Sequence, residues 1–97
     1  MDRIDFKTGN GIYTFQTVSG SKYILKIGDE KIFIKRSPQN KELSLRKDNE
    51  EIEVFKFMPI ELGKVAILKL KPLGKGNCTL RITTKVIEIS KVRVLGD

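Results

Sequence analysis

The sequence predicts an all-β fold: a small single-domain β-barrel or sandwich of about seven short, mostly antiparallel strands, with at most one helical turn. Along most of the chain, apolar residues recur at every second position, which is the period of a strand with one buried face. Clusters of Gly, Pro, Asn and Ser separate these segments at intervals of about ten residues. A chain of 97 residues supports one hydrophobic core, so residues 1–97 are expected to form a single domain.

A three-stranded antiparallel meander is predicted between residues 11 and 36. Tyr23, Leu25 and Ile27 share one face of its middle strand. The short Gly- and Ser-containing segments on either side of that strand have the composition of tight turns. The strands are expected at 12–18, 23–27 and 31–36, with turns at 19–21 and 28–30.

The pattern breaks after this meander. Pro38 has no N–H group to donate to a strand ladder, and it also restricts the residue before it. A short strand is predicted at 43–46, followed by a charged turn. A helical turn within 38–51 is the alternative, because Ser37 can cap a helix and proline suits the first helical position.

Three further strands are predicted in the second half of the chain. The first begins at Ile52 and alternates in the same way. The second, 65–70, is a nearly continuous apolar run and is expected to be a central strand buried on both faces. Loops at 58–63 and 72–77 connect these strands to each other and to a last strand that starts near Leu80.

The alternation in the last strand assigns its residues to two faces. The inward-facing residues are expected to be Leu80, Ile82, Thr84 and Val86, and the outward-facing ones Arg81, Thr83 and Lys85. Beyond Val86 the apolar residues change parity. A β-bulge or sharp bend is therefore predicted between residues 87 and 90.

The residue inventory predicts a protein that is not an enzyme and holds no metal or cofactor. The chain has no histidine, which excludes Ser-His-Asp and Cys-His sites and removes the commonest nitrogen ligand of metals. Gly74-Lys75 lacks the earlier glycine and the following Ser or Thr of a phosphate-binding loop. Cys78 is interpreted as a small residue at a strand start. The four acids between residues 48 and 53 are interpreted as a solvated turn, since their spacing does not fit a calcium loop.

A basic segment is the feature that points to a partner. Residues 54–87 contain seven Lys and Arg residues and the single acid Glu61, in a chain whose formal net charge is +7. Cations that share one face suit a sugar-phosphate backbone, and Gly74 and Gly76 would let backbone amides approach phosphates. The first functional hypothesis is a non-catalytic module that contacts the backbone of RNA or single-stranded DNA. The expected contact residues are Lys64, Lys69, Lys71, Lys75, Arg81 and Lys85.

Aromatic side chains, on which the bases of single strands stack, are sparse. They make up 7% of the chain, and none lies between Lys64 and Lys85. The stacking candidates are Tyr13, Phe33, Phe55 and Phe57, of which only Phe33 is clearly out of phase with its apolar neighbours. The sequence thus favours contact with the nucleic-acid backbone over base stacking.

Other interpretations fit the same sequence. One is a protein-interaction module, such as a small phage or mobile-element protein that inhibits a host factor, for example a defence nuclease, by strand addition or through exposed loops. Another is a structural subunit of a larger assembly. The lysines could also simply protect sheet edges. Segments 17–23 and 83–89 resemble pieces of short bacterial and phage proteins of unassigned role, a resemblance that implies no family and no functional residue.

The expected location is the cytoplasm, with no membrane segment. Secreted domains of this size usually carry paired cysteines, whereas Cys78 is single. Residues 1–6 lack the apolar run of a signal peptide. No segment approaches the roughly 20 apolar residues that cross a bilayer as a helix.

Overall fold

Six antiparallel strands close into a barrel, and two short strands form a separate small sheet. The computed structural model describes residues 1–38 and 48–92. The strands are β1 (Arg3–Ile4), β2 (Gly11–Thr17), β3 (Lys22–Ile27), β4 (Ile32–Ser37), β5 (Ile52–Phe57), β6 (Ile60–Glu61), β7 (Val65–Leu70) and β8 (Thr79–Val92). The barrel order is β2-β3-β4-β5-β7-β8, with β8 paired back to β2. The predicted all-β fold is confirmed, and its form is the barrel.

The β2-β3-β4 meander forms where the alternating pattern predicts it. Gly20, in the first turn, has a φ of 89°, which glycine adopts without a steric penalty. Phe15 and Tyr23 lie opposite each other on β2 and β3, and their buried rings stack with centroids 4.7 Å apart. The predicted strand at 43–46 and most of the alternative helical turn at 38–51 lie outside the described residues.

The small sheet joins the amino-terminal segment to the connection between β5 and β7. Ile4 on β1 pairs with Ile60 on β6, and both side chains are fully buried as members of the barrel core. The sequence predicts only a loop at 58–63, because a two-residue strand shows no alternation. The structure corrects that prediction by adding this short strand pair.

The first half of β8 faces the opposite way from the prediction. Arg81 and Thr83 are each only 7% exposed, whereas Leu80 and Ile82 are 61% and 59% exposed, and Thr84 is exposed as well. The expected outward orientation of Arg81 and Thr83, and the inward orientation of the other three, are therefore wrong. The buried Thr83 hydroxyl is satisfied, since it accepts a hydrogen bond from the Ala66 N–H at 2.9 Å.

An extra residue in β8 explains this inversion. Val65 of β7 lies opposite Lys85, whereas Ile67 lies opposite Ile82. Over this stretch β8 advances by three residues while β7 advances by two, so β8 contains one extra residue. Val86 is buried, as predicted. The prediction assigns the other residues of the strand by counting back from Val86 in steps of two. That count passes the extra residue, so it assigns residues 80–84 to the wrong faces.

A second irregularity in β8 agrees with the prediction. Thr17 lies opposite Val86, while Gln16 lies opposite Glu88, which leaves Ile87 as an extra residue on β8. The predicted bulge between residues 87 and 90 is therefore confirmed. It lets β8 bend from its pairing with β7 to its pairing with β2 and so close the barrel.

Strand β7 is buried on one face only, so the predicted burial on both faces is wrong. Ala66, Leu68 and Leu70 face the core with no exposed surface. Val65 and Lys69 are exposed on the outer surface, because no second layer covers this side of the barrel among the described residues.

Candidate binding surface on the outer wall of β5, β7 and β8

The outer surface of β5, β7 and β8 exposes several large apolar side chains. Leu80 and Ile82 point outward from β8, and the cross-strand partner of Ile82 is the half-buried Ile67 of β7. Exposed Met58 lies beside them, since its N–H donates to the Ile67 carbonyl. We call this surface the β5-β7-β8 wall; its residues are Phe55, Lys56, Met58, Val65, Ile67, Lys69, Leu80, Ile82, Thr84 and Lys85.

A shallow groove of about 220 Å³ crosses this wall. Its lining residues are Lys56, Phe57, Met58, Ile67, Lys69 and Leu80. Phe57 packs against the core, whereas the neighbouring Phe55 is exposed, because the register of β5 against β7 shifts between Val54 and Lys56. The lining of the groove thus combines apolar side chains with two lysines.

Lysines lie toward both ends of the wall. Lys56 and Lys69 are directly opposite each other on β5 and β7, and Lys69 is also opposite Leu80. Lys85 lies opposite Val65, four residues before Lys69 on β7. Lys85 is therefore about 13 Å from the Lys56-Lys69 pair along the strand direction. The wall as defined contains no Asp or Glu, so its potential is expected to be positive.

The structure separates the six cations that the sequence groups together. Lys69 and Lys85 belong to the wall, and Lys71 and Lys75 are exposed on the 71–78 connection beside it. Lys64 is exposed but pairs with the Glu61 carboxylate at 2.8 Å.

Arg81 leaves this set because its side chain lies inside the barrel. Lys56 joins the wall although the sequence did not indicate it. Its position beside Lys69 depends on the irregular β5-β7 register, which has no clear sequence signal.

The predicted stacking candidates are also dispersed. Tyr13 is buried, and Phe33 is half-buried on β4, away from the wall. Among the described positions, Phe55 is the one stacking candidate that is exposed on the wall. The geometry therefore adds little support for base stacking.

A polar cluster lies inside the barrel. The Arg36 guanidinium pairs with the Asp48 carboxylate at 2.6 Å and donates to the Ser21 hydroxyl at 2.9 Å. Both side chains of the ion pair are 7% exposed. The interpretation of the acids at 48–53 as a solvated turn is thus wrong for Asp48, which reaches inward to a cation from β4.

Arg81 is the third charged member of this region. Burial lowers the pKa of its guanidinium, Tyr23 and Asp48 oppose that effect, and the like charge of Arg36 adds to it. Desolvation disfavours the charged form of a cation, which accounts for the direction.

Within the described ranges, no group of three or more His, Cys, Asp or Glu side chains is placed to hold a metal ion. The same part of the chain contains no helix long and apolar enough to span a bilayer. No protein-family model, curated protein or solved structure matches this chain. Its function must therefore be inferred from the β5-β7-β8 wall and the interior polar cluster.

Proposed function

We propose that this chain is a non-catalytic protein-binding module whose β5-β7-β8 wall docks on a partner surface carrying acidic and aliphatic side chains. The observation that supports this proposal is the outward exposure of Leu80 and Ile82 on a sheet face flanked by lysines. Contiguous exposed apolar side chains with a polar rim are typical of protein interfaces. The lysines select for a partner of opposite charge and speed its association.

Barrel closure favours docking through a face over strand addition. Each of the six barrel strands has a neighbour on both sides, so the cylinder offers no complete free edge. Closure also weakens the interpretation of the lysines as sheet-edge protection. A module that docks through this face would inhibit a host factor by covering part of that factor's surface.

The test compares two apolar-to-acid substitutions at exposed positions. Ile82→Glu places an acid in the wall, whereas Phe6→Glu places one after β1, at a residue that is 85% exposed. We expect wild type and Phe6→Glu to retain the same protein from host extract, with or without nuclease, and Ile82→Glu to lose it. The purified partner must then bind wild type directly. Equal binding of that partner to Ile82→Glu, with folding verified by NMR, would refute docking on the wall.

Nucleic-acid binding is the second candidate, and a specific arrangement favours it. Lys56 and Lys69 are cross-strand neighbours, and exposed Lys71 and Lys75 continue from them on a connection where Gly76 has a φ of 113°. Labelled RNA and single- and double-stranded DNA test this candidate. If four phosphates are neutralised, affinity falls about 50- to 150-fold between 50 and 200 mM salt. Absence of binding at 50 mM salt eliminates nucleic acid as the partner.

A further inference from the structure

Two lysines of the β5-β7-β8 wall lie directly opposite each other, Lys56 on β5 and Lys69 on β7, and both are exposed. We call them the lysine pair. Side chains in this relation have Cβ atoms about 4.5–5.5 Å apart, and like charges placed in this way are destabilising. Across residues 1–38 and 48–92, neither ammonium group forms an ion pair with a carboxylate. The described part of the chain therefore does not neutralise this pair of cations.

Acids elsewhere in the chain pair with other lysines. The nearest acid along β5 is Glu53, and its carboxylate lies 4.0 Å from the Lys31 ammonium. The Glu61 carboxylate, next to the wall, accepts from Lys64 at 2.8 Å. Strand β7 has no acid at all. The lysine pair is thus a cationic position that suits an anion from another molecule.

An apolar row lies beside the lysine pair on the same wall. Ile67 precedes Lys69 by two residues on β7, so the two side chains leave the same face about 6.5 Å apart. Ile82 lies opposite Ile67 on β8, and on the other side the Met58 N–H donates to the Ile67 carbonyl at 3.0 Å. Met58, Ile67 and Ile82 form this apolar row. The wall thus places a position for an anion next to a position for an aliphatic group.

We propose that the partner protein is anchored on the wall by two groups, an Asp or Glu carboxylate that bridges the lysine pair and an aliphatic side chain that packs on the apolar row. This inference rests on the proposed function, since it assigns the partner's chemistry to that surface. An extended segment presents two such side chains at positions i and i+2, and a helix presents them at i and i+4. A carboxylate is favoured over a nucleic-acid phosphate, because a sugar-phosphate backbone has no aliphatic side chain for the apolar row.

Three small probes in NMR titrations test the two groups separately. Hexanoate has both the charge and the alkyl chain, hexanamide lacks the charge, and acetate lacks most of the chain. At equal ionic strength, hexanoate is expected to bind about 2- to 25-fold more tightly than hexanamide, because each exposed lysine contact contributes about 1.4- to 5-fold. Acetate should bind at least about tenfold more weakly than hexanoate. Equal affinities for hexanoate and hexanamide, or shifts that leave the Ile67 and Lys69 amide signals unmoved, overturn the proposal.

The double variant Lys56→Gln/Lys69→Gln removes the lysine pair, and Lys22→Gln/Lys85→Gln is its matched control. The control removes the same charge from exposed lysines on β3 and at the other end of the wall, beyond the Debye length of about 8 Å at physiological salt. We expect the lysine-pair variant to bind hexanoate no more tightly than hexanamide, and the control to keep the wild-type preference. An undiminished preference in the lysine-pair variant overturns the proposal.

Thermal unfolding without a ligand checks the premise that the lysine pair is not neutralised within the chain. The Tm of the lysine-pair variant should be at least that of the control, because the repulsion between cross-strand cations is gone. A lower Tm would show that contacts within the chain stabilise the two lysines, and it would contradict an open anion position.

The purified partner from host extract separates this inference from the proposed function. Binding that Ile82→Glu abolishes and that the lysine-pair variant weakens by about 2- to 25-fold supports both. Binding that Ile82→Glu abolishes and the lysine-pair variant leaves unchanged overturns the carboxylate anchor but not docking on the wall. Equal binding to Ile82→Glu refutes the proposed function itself. A lysine-pair variant that loses affinity for labelled RNA but not for the partner assigns the two lysines to nucleic acid and overturns this inference.

Discussion

Replacing Ile82 with alanine tests the orientation of β8, because the same substitution at Ile34 provides a matched control. Ile82 is 59% exposed, whereas Ile34 on β4 is 0% exposed. Full burial of an isoleucine side chain is worth about 1.5–3 kcal/mol, so loss of the two-fifths that is buried at position 82 costs roughly 0.6–1.2 kcal/mol. Ile34→Ala instead opens a cavity in the core, at a cost of about 2–5 kcal/mol.

Urea denaturation followed by circular dichroism measures both costs. The two variants should unfold with the same m-value as wild type, so that the shifts in midpoint report stability directly. In thermal melts, each 1 kcal/mol corresponds to about 4–8 °C for a domain of this size. If Ile82→Ala costs as much as Ile34→Ala, then Ile82 faces the core, the register of β8 is wrong, and the apolar wall does not exist.

Three further predictions concern single interactions. Tyr13→Phe should lower the free energy of unfolding in urea by about 1 kcal/mol, because the buried hydroxyl donates to the Gly9 carbonyl at 3.0 Å; no change would show that this bond is not formed. Arg36→Met should lower the free energy of unfolding by about 3–5 kcal/mol, because it removes the guanidinium partner of the buried Asp48 carboxylate. Adding Asp48→Asn to this variant should restore part of the lost stability. A loss of stability that the second substitution leaves unchanged would contradict the ion-pair explanation. Acid should loosen the pairing of β1 with β6, because the Arg3 guanidinium of β1 donates to the Glu61 carboxylate of β6. A hydrogen bond from Lys64, with the charges of Lys64 and Arg3, holds the pKa of Glu61 below its ordinary 4.5, and a hydrogen bond from Arg3 holds the pKa of Asp5 below its ordinary 3.8. These folded-state pKa values are the depressed ones, so the stabilisation is complete at neutral pH and is lost as the pH falls below about 4. Lower protection of the Ile4 and Ile60 amides in acid, relative to their intrinsic exchange rates at the same pH, measures this loss, and unchanged protection would contradict it.

Local alternation was sufficient to predict most of the barrel strands. In the β2-β3-β4 meander, every second residue faces the core, and the turns carry the Gly and Ser residues that tight turns need. This alternation involves only residues close in sequence, so strands can be predicted from it without knowing which strands pair. The existence of β5, β7 and β8 followed in the same way.

The orientation of side chains across an irregular ladder could not be predicted in this way. The extra residue in β8 is visible only when Val65 and Ile67 are matched to their partners across the strand pair. The inversion placed Arg81 inside the barrel and Ile82 outside it, which moved the candidate surface from a cationic face to an apolar wall with a lysine border. Lys56 entered the wall for the same reason, through the shifted register of β5.

Polar contacts between residues distant in sequence could not be predicted from the sequence either. Arg36 and Asp48 lie on opposite sides of a proline-containing connection, and nothing in their sequence spacing indicates that they meet. The strand pair β1-β6 joins residues near the amino terminus to the middle of the chain through two residues on each side. Only tertiary contact defines elements of that length.

The seam between β2 and β8 has a consequence for how the chain acquires its fold. Ile12 of β2 lies opposite Val92 of β8, 80 positions later in the chain, so the barrel cannot be completed by local hairpins alone. Joining such distant segments carries a large loop-closure entropy, and domains dominated by such contacts typically fold in milliseconds to seconds. We expect the β2-β3-β4 meander to form first and the pairing of β2 with β8 to set the folding rate. Until it occurs, the outer edge of β2 remains open to association with other chains.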